Sequence, residues 1–177
     1  MRKLKKKIVY QFLAFLVPLF TFLSPPWLLI SGIGPRWAQL WLLPWALEEG
    51  PVSGAFAGLY LGLVLDGMNL AGSTQIPALI LLGLWWGRLG RKENYVYKKF
   101  SLGFFAWLGV FVSGLSIWLQ TIFFVQKNLF FIFNAWFLHN LFAGAILNAL
   151  IAPLLCPLIM KYFLREKQER YARNIHH

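Results

Sequence analysis

The chain has 177 residues, of which 59% are hydrophobic, 18% aromatic and 13% charged. A soluble domain carries roughly 25% charge, so this composition excludes an ordinary water-soluble fold and points to a single integral membrane domain over residues 1–177. The net charge of +11 fits nucleic acid, anionic lipid or membrane orientation. The basic residues cluster at the edges of apolar runs, so orientation explains them, with anionic lipid contact as a by-product and no nucleic acid partner.

Residues 2–7 read RKLKKK and precede an apolar run from Ile8 to about Ile30. That run is too long for a signal peptide and no small-residue cleavage pattern follows it, so 8–30 reads as an uncleaved first transmembrane helix. Pro18, Pro25 and Pro26 should kink or end it. Ser31 to Trp37 reads as a turn. Ala38 to Leu47 is a short or tilted second helix, below the roughly 20 residues that a hydrocarbon core of about 30 Å requires. Glu48-Glu49-Gly50-Pro51 marks a break and a helix start. The third and fourth helices are expected over 52–68 and 75–87, separated by MNLAGST. A charged loop occupies 88–99 and a fifth helix 100–125. After Gln126-Lys127-Asn128 comes an interfacial segment from Leu129 to about Leu138, then a sixth helix over 139–162 and a polar tail, read as a fraying helical end. The fold expected is an all-α bundle of six transmembrane helices.

Six spans place Arg2, Lys3, Lys5, Lys6 and Lys7, the basic residues of the 88–99 loop (Arg88, Arg91, Lys92, Lys98, Lys99) and five in the tail on one side, 15 of the 17 in all. Only Arg36 and Lys127 fall opposite. The richer side is cytoplasmic by the positive-inside rule. Without a crossing by 38–47 the five cations of the loop would lie outside, so the short helix is expected to cross.

Gly54, Gly58 and Gly62 recur every fourth residue, and Gly83 and Gly87 repeat the spacing in the next run. Lipid gives helices no hydrophobic reason to associate, and small residues at this spacing let backbones approach closely instead. The stretch 51–90 therefore reads as a helical hairpin, and glycine rows left exposed would offer a seat to a partner's span.

Asp66 lies near the outer end of the third helix, on the face of Gly62 and Leu59. A carboxylate there serves as a ligand, proton or cation site, or more simply as a buried hydrogen-bond anchor or helix-end group. Asn140, Gly144 and Asn148 form a second row, with Asn148 expected inside the bundle and the third helix a possible partner. His139 has no Cys, Asp or Glu within a turn, so no metal site is expected. The serines lack a nearby base, the lone Cys156 cannot form an internal disulfide, and no nucleotide-binding, hydrolase or zinc motif appears. Neither catalytic residues nor a cofactor are expected. Arg88 reads as a helix-end snorkelling residue, and the basic amino terminus with Arg91 and Lys92 as a cytoplasmic surface.

The run from Ala46 to Lys92 resembles the core of the rod shape-determining MreD family of bacterial membrane proteins. The carrying residues are Ala46–Gly50, the Leu61–Asp66 helix end, Gly72 in the turn, and Gly83–Arg88. The closing stretch AGAILNALIAPLLCPLI, with Asn148-Ala149 and Pro157, and the turn Gly34-Pro35 are similar to that family as well, although Arg36 stands where an acidic residue is often found. The resemblance implies a non-enzymatic scaffold of the cell-elongation machinery in the bacterial cytoplasmic membrane. It further implies binding to the bitopic protein MreC and, through it, links to MreB filaments and peptidoglycan synthases. It also implies a fold similar to the substrate-binding subunits of energy-coupling-factor transporters. A small-molecule-binding subunit is therefore the alternative, with Asp66, Asn69, Ser73, Thr74 and Gln75 as the polar groups near its outer edge. The topology is tested by accessibility labelling, which should find both chain ends on the cytoplasmic face.

Overall fold

The computed structural model describes residues 26–68, 73–90, 99–125 and 135–175. The first expected helix, 8–30, lies outside these except for its last five positions, which form a 3-10 turn at Pro26–Leu28 and the start of a bridged turn between Ile30 and Ile33. Ser31 (φ 51°) and Gly32 (φ 82°) make the reversal. Five α-helices follow among the described residues: α1 Trp37–Glu49, α2 Pro51–Met68, α3 Ile76–Gly90, α4 Lys99–Val125 and α5 Ala135–Ile175. No strand occurs among the described residues.

The helices bury small residues and show large apolar ones outward, the pattern of a membrane protein. On α2 the buried positions are Pro51, Gly54, Gly58, Leu61 and Gly62, while Val52, Phe56, Tyr60 and Leu63 are exposed. On α5, Phe142, Ile146, Leu150, Leu154 and Leu158 form an exposed stripe at four-residue spacing. Three helical stretches among the described residues are long and apolar enough to cross a bilayer: Pro51–Met68, Ser101–Phe123 and Ala135–Lys161. Ile76–Gly90 is a shorter apolar helix.

Two boundaries differ from the sequence reading. Ala135–Leu138, expected in an interfacial segment, are the first turn of α5, and α3 continues three residues past Gly87 to Gly90. At the start of α5 the apolar pattern runs unbroken into the span, and at the end of α3 Gly87 is packed on the Gly50–Pro51 backbone, so it continues the helix in place of ending it. The expected tail after 162 continues α5 without interruption to Ile175.

The short helix α1 is the centre of the bundle. It packs against each of the other four helices. Ala38, Gln39, Leu40, Leu42, Leu43, Pro44, Ala46 and Leu47 are all buried, and exposure is confined to a half-buried stripe of Trp37, Trp41, Trp45 and Glu48 and to Glu49 at the end. A helix apolar over most of its circumference belongs largely in a core. Its 13 residues cover about 20 Å, short of a hydrocarbon core of about 30 Å. Its amino end meets α5 at Asn148 and α4 at Gly109 and Ser113, in the middle of both helices. The chain thus enters α1 part-way into the bundle. Gly50, at φ 92°, ends α1 with its N–H on Ala46 O at 3.0 Å, and Pro51 starts α2 at once.

Pro44 has no N–H, so inside α1 the carbonyl of Leu40 lacks its usual partner. The Cys156 thiol of α5 donates to that oxygen at 3.9 Å. In an apolar interior an unmatched carbonyl is costly, and this weak donor answers it.

The α2–α3 hairpin is held by backbone on backbone. Cβ atoms placed on Gly54 or Gly83 would collide with each other's carbonyls. One on Gly58 would lie 2.6 Å from the carbonyl carbon of Leu79, and one on Gly62 would lie 2.8 Å from Ile76 Cα. Gly87 sits on the Gly50–Pro51 backbone and Gly90 on Leu47. The glycine rows are therefore consumed inside the protein, and the idea that they stay exposed for a partner is corrected. Gly144 also differs from its expected packing role: a Cβ there would meet only Arg36 Nε at 3.7 Å and Val110 Cγ1 at 3.8 Å, ordinary contacts. The close α4–α5 approach is at Gly103, where a Cβ would lie 2.8 Å from Ala149 O.

At the open end of the hairpin, Asp66 Oδ1 accepts the Gln75 N–H at 2.9 Å, one residue before α3. The carboxylate also faces the positive end of that helix. Gly58→Leu or Gly62→Leu should destabilise by about 3 kcal/mol or more, since backbone must move. Asp66→Asn, which keeps an acceptor oxygen, should cost about 1 kcal/mol. Thermal unfolding in detergent measures both, and equal midpoints for the three variants would contradict this packing.

Candidate functional site

Polar side chains converge where α1 begins. Asn148 of α5 is fully buried, as is nearly all of Gln39 of α1 and Ser113 of α4. The Arg36 N–H donates to Asn148 Oδ1 at 2.9 Å, and Asn148 Nδ2 donates to Gln39 Oε1 at 3.2 Å. Gln39 Nε2 donates to Ser113 Oγ and, at 3.4 Å, to Gly109 O. Ser113 Oγ in turn donates to Gly109 O at 3.1 Å. The chain of bonds joins α1, α4 and α5, and it works because each amide both donates and accepts.

Local sequence explains the placement. Gly34-Pro35 carries the chain into the bundle, and the backbone N–H of Arg36 there has no helical partner of its own. Asn148 supplies one from across the interior. Gly109 leaves room on α4 for the buried indole of Trp86, whose Cζ2 would lie 2.7 Å from a Cβ at that position. Asn148, expected to point inward, does lie inside the bundle, but its partners are on α1, and a pairing with the helix at 52–68 does not occur.

Beside this cluster opens a cleft of about 420 Å³. Its walls are the 29–36 turn, the first residues of α1, Leu65 of α2, Gln75 before α3 and Ile117 of α4. Arg36 is the charged side chain that lines it. The rim is fixed by Gln120 of α4, which receives the Thr74 N–H at 2.8 Å and donates to Thr74 O at 2.9 Å. With the Asp66 clip, this pins the turn into α3 against α4.

The other expected residues lie apart from this site. Asn140 is half-buried and His139 exposed near the start of α5. Arg88 is exposed in the last turn of α3. Arg2, Lys3, Lys5, Lys6, Lys7, Arg91 and Lys92 fall outside the described residues, as do Asn69 and Gly72. Among the described residues, no three His, Cys, Asp or Glu side chains gather where a metal could be held. Gln39, Ser113 and the inward placement of Arg36 were missed in the sequence. The available signal was polarity: Gln39 in a short apolar helix and Ser113 in a long one are each expensive in lipid unless bonded.

Comparison with family models, with curated proteins and with solved structures finds no match to this chain. What the chain itself defines is an all-helical membrane protein with a buried amide network and a cleft at the amino end of its central helix.

Asn148→Leu tests the network. An interhelical hydrogen bond in a membrane averages about 0.6 kcal/mol, but this change strands the Arg36 N–H and Gln39 Oε1 in the interior. Stranded buried groups cost about 1–3 kcal/mol each, so the variant should lose roughly 2 kcal/mol or more. Chemical unfolding in mixed micelles measures the loss, and a change below about 0.6 kcal/mol would show that the network contributes no more than an ordinary pair.

Proposed function

We propose that this protein is a non-enzymatic scaffold of the bacterial cell-elongation complex, binding an MreC-like bitopic protein and helping to control cell shape and peptidoglycan synthesis. In this reading it crosses the cytoplasmic membrane six times, α1 and the turn before it together making the second crossing, with both termini in the cytoplasm, and reaches MreB filaments and peptidoglycan synthases through its partner. Anionic lipids bind its basic cytoplasmic edge.

The observation that carries the reading is where the residues of the family resemblance fall. Ala46–Gly50, Leu61–Asp66 and Gly83–Arg88 all belong to one unit, the end of α1 and the glycine-packed hairpin of α2 and α3. That unit is rigid on its inner side and presents Val52, Phe56, Tyr60 and Leu63 outward on α2, which packs on α1 and α3. A partner's transmembrane helix has a firm apolar wall to lie against.

A second reading, a small-molecule-binding subunit of a transporter with a fold like those of energy-coupling-factor systems, is favoured by the cleft of about 420 Å³, a size ordinary for small ligands. Photo-crosslinking separates the two. A crosslinker at Phe56 or Tyr60 in native membranes should capture an MreC-like protein, and one at the inward Leu61 should not. No such adduct from either outward position would overturn the scaffold reading.

A further inference from the structure

The sequence holds six carboxylates, at positions 48, 49, 66, 93, 166 and 169. Glu48 and Glu49 end α1, 12 residues beyond Arg36, which is about 18 Å along a helix. Asp66 is the described carboxylate at the cleft end of the bundle, and its Oδ1 is committed to the Gln75 N–H at 2.9 Å. Among the described residues no ion pair reaches Arg36. Two neutral side chains nearby are engaged as well. Asn148 Oδ1 takes the Arg36 backbone N–H, and the Gln39 amide is used by Asn148, Ser113 and Gly109.

A guanidinium has five donors and stays protonated. Partly buried beside the cleft without an anion, it carries a desolvation cost. This one is nonetheless built in. Its side chain lies against α5, with Nε 3.7 Å from where a Cβ on Gly144 would be. The cleft it lines also contains Trp37 and Ala38, at the positive end of the α1 dipole.

We propose that this cleft is an oxyanion-binding site, in which the Arg36 guanidinium pairs with a phosphate or carboxylate group of an anionic ligand. The group comes either from a lipid headgroup or from a small free anion. The site stands independently of both functional readings above.

The test uses the full chain in neutral phosphatidylcholine nanodiscs. Three probes are added separately: phosphatidylglycerol, glycerol phosphate and succinate. Arg36→Gln keeps the backbone N–H to Asn148 and removes the charge. An anion that fills the site at a hundred times its Kd should raise the melting temperature by about 5 °C. Arg36→Gln should bind it at least about tenfold more weakly, which separates the cleft from the basic termini. In the unmodified protein the same anion should shield Arg36 from phenylglyoxal, read by peptide mass spectrometry. Shielding by phosphatidylglycerol assigns a headgroup, and shielding by glycerol phosphate or succinate a free anion; each upholds the site. Arg36 labelling unchanged by all three probes, or a full thermal shift retained in Arg36→Gln, overturns it. The labelling needs no variant, so it decides the matter even where Arg36→Gln does not fold.

Discussion

Close approach of main chain to main chain is the constraint on which the bundle rests. In a bilayer, apolar side chains gain nothing by leaving lipid for protein, so helices must find attraction in tight contact and in polar bonds. Gly54 against Gly83, Gly58 against Leu79 and Gly87 against Pro51 supply the first. With the glycine side turned inward, the bulky residues of α2 have only lipid or a neighbouring protein to meet. The orientation of the hairpin and the character of the outer surface follow from the same row of missing side chains.

The polar bonds are concentrated around α1. This helix is shorter than a hydrocarbon core is thick, and its amino end opens inside the bundle, where its first backbone N–H needs a partner. Asn148 meets the exposed backbone there, Gln39 relays the bonding to Ser113, and α4 and α5 are thereby locked to the central helix. A helix that begins inside a bundle leaves space above it, and that space is the cleft. The cleft is thus a by-product of a short core helix, and the placement of Arg36 gives it a chemical character.

Much of this was legible in the sequence, and the part that was not has a physical cause. Four-residue glycine spacing identified the hairpin because that spacing defines one side of a helix. The rows could not say which protein they meet, and they meet their own hairpin partner. Asp66 was recognisable as a helix-end group; that it receives Gln75 needed the turn geometry. Asn148 was marked as inward by its polarity. Gln39, Arg36 and Ser113 were not joined to it, because their proximity arises from a crossing of three helices in which α1 bonds residues 70 or more positions away in the chain. The start of α5 was placed too late because an aromatic, apolar stretch reads equally well as an interfacial segment or as the first turn of a span.

The proline at 44 and the cysteine at 156 belong to different helices, yet each makes sense through the other. The imino acid leaves Leu40 with a bare oxygen, and the sulfhydryl occupies the spot from which that oxygen can be reached. Exchanging the thiol for alanine would expose the flaw in α1, whereas exchanging the proline for leucine would make the thiol dispensable. The two positions are therefore energetically coupled, and a substitution at one is expected to change what is tolerated at the other.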